Sequence, residues 1–420
     1  MGLFYQIKGG ISIELKKGVA LLLSTLLLAG SLLAGCSGGT SSPPPASETK
    51  ETPAAPASSG GSNVIKIATQ SPLSGPQSLE GEAIKLGAEL AVKENAEAFK
   101  NMGFELQLYP QDDQADPKQG VVNAELLIAD RDVFAVVGHY NTGVAIPSSA
   151  KYEAGHVTMV SPANTGVELT ESNRKSVNRL VARNDQIAPA AAKYAKDQLG
   201  TKNVFLVHDK TAYGQGLVDE VRKAFRDLGV EELGYEGITA GEKDYSAIVN
   251  QIVAKKPDLV FYGGMYNEAG LIARSAKERG FTGKIMGGEG LESNDMYKIA
   301  GDAAEGIIYA TVVGDVRATD EGRQWVEKYK STFGKEPGAF SAFAYDATLV
   351  ILNGLEAAIK ENAGKKPTKE QVQEKVRATK DFKGFFTQVS FDEKGDNTFS
   401  KVYIYKFGKE KAEFIGEAAN

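Results

Sequence analysis

Cysteine, histidine and tryptophan are scarce in this chain. Its 420 residues include one cysteine, Cys36, three histidines and one tryptophan. A single thiol excludes an intramolecular disulfide, a Cys-based zinc site and a C-x-x-C redox motif. A basic excess is also missing: 48 Lys and Arg stand against 54 Asp and Glu, a formal net charge of −6. A general nucleic-acid binder needs positive charge to neutralise phosphates, so that class is set aside. Catalytic signatures are absent as well. From Val64 onward there is no G-x-S-x-G elbow, no H-E-x-x-H and no phosphate-binding P-loop, and GQGLVD (214–219) lacks the third glycine of a dinucleotide fingerprint. His139, His156 and His208 stand alone in sequence. His208-Asp209-Lys210 invites an acid–base reading, but it sits where a strand ends and is read as structural. No catalytic residue, metal or cofactor is expected.

What is present is ordinary globular material: 42% hydrophobic and 24% charged residues. That composition excludes global disorder, and the length suits two or three domains. The first 35 residues differ from the rest. Lys8, Lys16 and Lys17 precede the apolar run VALLLSTLLLAGSLLA (19–34), which is shorter than the about 20 residues of a membrane span and matches a secretory leader. The run ends in Leu33-Ala34-Gly35-Cys36, which resembles a bacterial lipobox. That resemblance implies cleavage before Cys36 and a lipid on its thiol, anchoring the chain outside the cytoplasm. Losing residues 1–35 removes three of 48 basic and one of 54 acidic residues, leaving 45, 53 and a net charge of −8. Residues 37–62 hold no large apolar side chain and are rich in Ser, Gly and Pro, so they read as a tether.

From Val64 the pattern alternates. VIKIA (64–68), FELQLY (104–109), VFAVVG (133–138), VTMVSP (157–162), NVFLVHD (203–209), DLVFYGG (258–264), KIMGG (284–288) and IIYATVV (307–313) read as strands, with another near 233–238. Helices are expected over 80–100, after the Asp116-Pro117 start signal, and over 215–228, 245–255, 268–279, 320–333 and 340–362. Apolar strands alternating with amphipathic helices mean parallel sheets covered on both faces. Two doubly wound α/β units fit the strand count, with a barrel as the alternative.

In open α/β sheets ligands sit at the carboxyl ends of strands. Small and polar residues recur there: His139–Gly143, Ser161–Gly166, His208–Gly214, Gly263–Tyr266 and Gly287–Gly290. Helix starts with Thr142 and Thr165 nearby suit a carboxylate, and Glu289 in its Gly-rich turn suits an ammonium group. Together they describe a pocket for a zwitterionic amino acid. The same residue types also serve as plain helix caps and solvated loop charges.

The segments SPLSGP (71–76), YPQDDQADPKQGV (109–121), VVGHYNTGVAIP (136–147), SPANTGVELT (161–170), VHDKTAYGQGL (207–217), GITAGEKDYSAIV (237–249), FYGGMYNEAG (261–270), MGGEG (286–290) and SFDEKGD (390–396) resemble, in order, the leucine/isoleucine/valine-binding protein family. These are substrate-binding components of branched-chain amino acid ABC transporters. The resemblance implies a type I periplasmic-binding-protein fold of two lobes joined by three crossovers. Lobe 1 would hold 64–183 and 314–395, and lobe 2 would hold 184–313 and 396–420. It implies a monomer that delivers its ligand to permease subunits in the membrane. A sensor module of the same fold, feeding a membrane receptor or kinase, is the alternative; a scaffold without a ligand is a third reading. Position by position, Thr142 and Thr165, with backbone N–H near Ala163 and Asn164, would hold the ligand carboxylate. Tyr213 and Glu289 would meet its amino group, with Asn141 and Met265 beside them.

Three departures from the family bear on specificity. Glu80 stands where relatives with aliphatic ligands place an aromatic residue. Met265 stands where they often place tyrosine, although Tyr266 is adjacent. A disulfide found in some members would join the positions of Ala115 and Asn141, so it is missing here. A buried, unpaired Glu80 is costly. Either it points to solvent, or the ligand carries a polar or cationic group.

Overall fold

The computed structural model describes residues 62–418. The leader, Cys36 and almost all of the tether lie outside the described residues. Five strands form the first sheet: β1 (Val64–Ser71), β2 (Glu105–Asp112), β3 (Val133–Gly138), β4 (Thr158–Ser161) and β5 (Val177–Arg179). They are all parallel, in the order β2-β1-β3-β4-β5. The second sheet contains β6 (Asn203–His208), β7 (Glu231–Gly237), β8 (Leu259–Gly263), β9 (Lys284–Gly287) and β10 (Ile308–Thr311). A two-stranded ribbon, β11 (Phe382–Lys383) and β12 (Gln388–Val389), precedes its last two strands, β13 (Tyr403–Phe407) and β14 (Ala412–Glu417). The second sheet runs β14-β13-β10-β9-β8-β6-β7. It is parallel from β7 to β10, but β13 and β14 join antiparallel. The sequence reading of parallel α/β sheets therefore holds, with an antiparallel edge it did not foresee. The barrel alternative falls away.

Local chemistry explains the elements. β3 is buried along its whole length, as a strand covered on both faces must be. Asp116 caps the helix Pro117–Ala129 by accepting from Lys118 N, with Pro117 at the first helical position. Thr211 caps Ala212–Asp227 through Gly214 N, and Thr319 caps Asp320–Phe333 through Gly322 N. Thr368 and Gln371 make a reciprocal capping box at the start of Lys369–Arg377.

The helix Ser78–Asn101 packs against Ser341–Glu361 over the first sheet. Gly87 allows the approach: a Cβ there would lie 2.0 Å from the Ser341 carbonyl oxygen. Ser341–Glu361 is long and apolar enough to cross a membrane by composition, but most of it is buried in this core.

The chain passes between the two sheets three times. It leaves β5 for the helix Asn184–Asp197, which packs on the helix Ala212–Asp227. It returns after β10 to Asp320–Phe333 and Ser341–Glu361, and crosses again after Asp396 to reach β13. Arg179 and Asp396 form a parallel β-bridge, so the first and third passages lie side by side.

Candidate functional site

The carboxyl ends of β3 and β4 face those of β8 and β9 across a polar seam. Helix starts and tight turns place the side chains there. Thr142 opens the helix Thr142–Ala154, whose first N–H groups lack intrahelical partners by geometry. Thr142 is buried beside Gly166, where a Cβ would meet the Thr142 methyl at 2.4 Å. Thr165 is fully buried, and its hydroxyl donates to Glu289 Oε1 at 2.6 Å, joining elements 124 residues apart. The second oxygen of Glu289 is buried with no partner. Burial pushes the Glu289 carboxyl up to about 7, partly offset by Thr165 and Tyr213. Tyr213 is buried, and its hydroxyl accepts from Gly290 N at 3.0 Å, which fixes the turn that carries Glu289.

Other expected residues fall in place differently. The Ala163 and Asn164 N–H groups donate to Ser161 Oγ at 3.3 and 2.9 Å. Asn164 is a loop brace, since its side chain accepts from His139 N and Ser161 Oγ and donates to the Tyr140 carbonyl. Asn141 donates to Gln77 Oε1 at 2.7 Å and leaves its own carbonyl oxygen without a partner. Met265 is buried and receives the Tyr140 hydroxyl on its sulfur at 3.7 Å. Glu80 does not point to solvent: it is 5% exposed. It reaches the Tyr266 hydroxyl at 3.2 Å and is also held by Ser293. Tyr266 donates over a shorter distance, 2.8 Å, to the Pro76 carbonyl.

Three residues of this seam carry no local sequence signal. Tyr140 packs edge-on against Phe340 and feels the charges of Glu80, Glu289 and Glu292. Glu292 accepts from Thr311 Oγ1, and burial together with Glu289 and Glu80 raises its carboxyl to about 8. Glu80 is raised to about 7 by burial. Arg179 is the third. It is fully buried, binds the Asp396 carboxylate at 2.7 Å, and donates to the carbonyls of Asn164 at 3.2 Å and Gly166 at 2.8 Å. It braces the Thr165 loop from below. Burial opposes the Asp396 charge, but Arg179 outweighs it and holds that carboxyl below its usual value.

His139 and His208 are held by neighbouring groups. His139 lies between Asp113 and Tyr152, each at 3.2 Å, and His208 accepts from Lys210 N at 3.1 Å. Among the described residues no group of three or more His, Cys, Asp or Glu is arranged to hold a metal. A surface cavity of about 630 Å³ lies elsewhere, lined by Asp219, Arg222, Phe225 and Glu232, and shares none of these residues.

The periplasmic binding protein family model matches residues 64–412. The chain belongs to the periplasmic-binding-protein family. Members of this family bind solutes outside the cytoplasm and are not enzymes. The Leu/Ile/Val-binding protein homolog 2 of Brucella abortus is 36% identical over 346 residues, 82% of this chain and 91% of that protein. The leucine-, isoleucine-, valine-, threonine-, and alanine-binding protein of Pseudomonas aeruginosa is 31% identical over 348 residues, 83% and 91% of the two chains. A crystal structure of a leucine-binding protein from Thermotoga maritima superposes with a TM-score of 0.77 at 29% identity, covering 84% of this chain and 98% of that one. A branched-chain amino acid transporter substrate-binding protein of Streptococcus pneumoniae, in complex with isoleucine, gives 0.74 at 25% identity, covering 84% and 99%. The family thus places the polar seam between the sheets in a solute-binding fold.

Proposed function

We propose that this periplasmic binding protein captures an α-amino acid between two closing lobes and delivers it to ABC permease subunits, as a monomer. The relatives named for leucine, isoleucine and valine support a branched-chain type of ligand frame. The lobes are proposed as 64–183 with 314–395, and 184–313 with 396–420. The carrying observation is the Thr165–Glu289 contact with one buried carboxylate oxygen left open. An α-ammonium group satisfies that oxygen with a charge-assisted hydrogen bond. The start of the helix Thr142–Ala154 and the Thr142 hydroxyl supply donors for the α-carboxylate, joined by the Thr165 hydroxyl once the α-ammonium group has replaced it on Glu289. Residues 1–36 support export and attachment through a lipid on Cys36, with residues 37–62 as the spacer.

A thermal-shift and calorimetry panel of α-amino acids tests the reading. Glu289→Ala and Thr165→Ala each leave a charged ligand group without its partner, at about 2–5 kcal/mol, or at least about thirtyfold in affinity. Undiminished binding in both variants overturns the assignment. Cys36→Ser is expected to move the protein from the detergent phase to the aqueous phase in a bacterial host.

A further inference from the structure

The seam gathers three carboxyl groups, more than the single ammonium group of an ordinary amino acid can pair. Burial raises Glu80, Glu289 and Glu292 alike, Glu80 and Glu289 both act on Glu292, and no lysine, arginine or histidine is among the groups that stabilise them. The α-ammonium group of a ligand answers one carboxylate, Glu289. Glu80 is left with Tyr266, whose proton is committed more closely to Pro76, and with Ser293. Tyr140, 6% exposed, feels all three carboxyls, and its hydroxyl has only the Met265 sulfur, a weak acceptor. The Glu289 oxygen without a partner is a second polar atom presented to the same space. An aliphatic side chain seated here would bury carboxyl groups against methyls with nothing in return. A cation turns the same burial into a hydrogen-bonded ion pair.

We propose that the ligand is a diamino carboxylic acid, an α-amino acid whose side chain ends in a cationic nitrogen that binds Glu80, with Glu292 and the Tyr140 hydroxyl beside it. The inference rests on the α-amino acid reading above. It differs from the branched-chain expectation only at the side-chain end, where Glu80 and Met265 depart from the relatives' pattern.

Calorimetry on the purified protein with L-lysine, L-ornithine, L-arginine, L-leucine and L-isoleucine decides it. At least one dibasic amino acid is expected to bind tenfold or more tightly than leucine. Glu80→Gln, nearly isosteric, is expected to weaken the dibasic ligand at least tenfold while changing leucine binding less. Glu80→Leu is expected to reverse the preference; the Gln variant carries the test if the Leu variant misfolds. Leucine or isoleucine binding as tightly as every dibasic ligand overturns this inference and leaves the amino-acid reading standing. Failure of all five to bind overturns both.

Discussion

Thr165 and Glu289 meet across the seam because each is held from behind: Thr165 by the loop that Arg179 braces, Glu289 by the turn that Tyr213 pins. At this scale the dominant electrostatic fact is buried acid. Glu80 and Glu289 are raised to about 7, Glu292 to about 8 and Asp346 to about 6, each first by burial. A carboxyl raised in the folded state keeps a proton that the unfolded chain has already lost. Stability is therefore full below the ordinary carboxyl range and falls as pH rises from about 4.5 to 8. The ligand-free protein is expected to melt several degrees lower at pH 8 than at pH 5.5. Glu292→Gln should flatten that slope in differential scanning calorimetry; an unchanged slope would remove Glu292 from the cause. Glu289 was legible in the sequence because a Gly-rich turn after a strand advertises itself. Tyr140 and Glu292 were not, because their importance comes from a juxtaposition of residues about 150 apart that neither local pattern records.

Elements follow the same logic of support from behind. Arg179, at the end of β5, joins Asp396, Thr170 and two loop carbonyls, so one side chain ties a strand, the Asn164–Gly166 loop and a passage between the sheets. Removing the Asp396 charge strands a buried guanidinium, at about 3–5 kcal/mol. Asp396→Asn is expected to lower the urea midpoint accordingly with little change in the slope of the transition; a midpoint within error of the wild type would deny the network its role. Strongly periodic elements were legible. The expected helices 320–333 and 340–362 are observed at Asp320–Phe333 and Ser341–Glu361, and the Asp116 cap stands as read. β5 was not legible, since Val-Asn-Arg is too short and too polar to announce a strand; its burial comes from β4 on one side and Asp396 on the other. β13 and β14 were also missed. β13, half-buried between β10 and β14, and the edge strand β14 carry a weaker apolar signal than β3 or β8.

On the scale of the molecule, each half depends on distant sequence. The second sheet takes β13 and β14 from the last residues, and Phe407 enters its core beside Tyr297 and Tyr309. A chain ending at residue 396 is expected to lose cooperative thermal unfolding of the second half. Retention of a two-phase melt with both amplitudes intact would show that β13 and β14 are dispensable. The two-unit α/β architecture was plain from the alternation of strands and helices. The interleaving was not, because composition says which segments bury apolar surface and not which partner they choose.

That interleaving sets the order in which the molecule can be made. The helix Ser341–Glu361, which covers the first sheet, and β13, which extends the second, both lie in the last fifth of the chain. A polypeptide emerging from its amino end must carry most of its length before either core can close, so its apolar strands stay uncovered through much of synthesis. Until that helix and β13 appear, the growing chain is a client for whatever holds unfolded polypeptides.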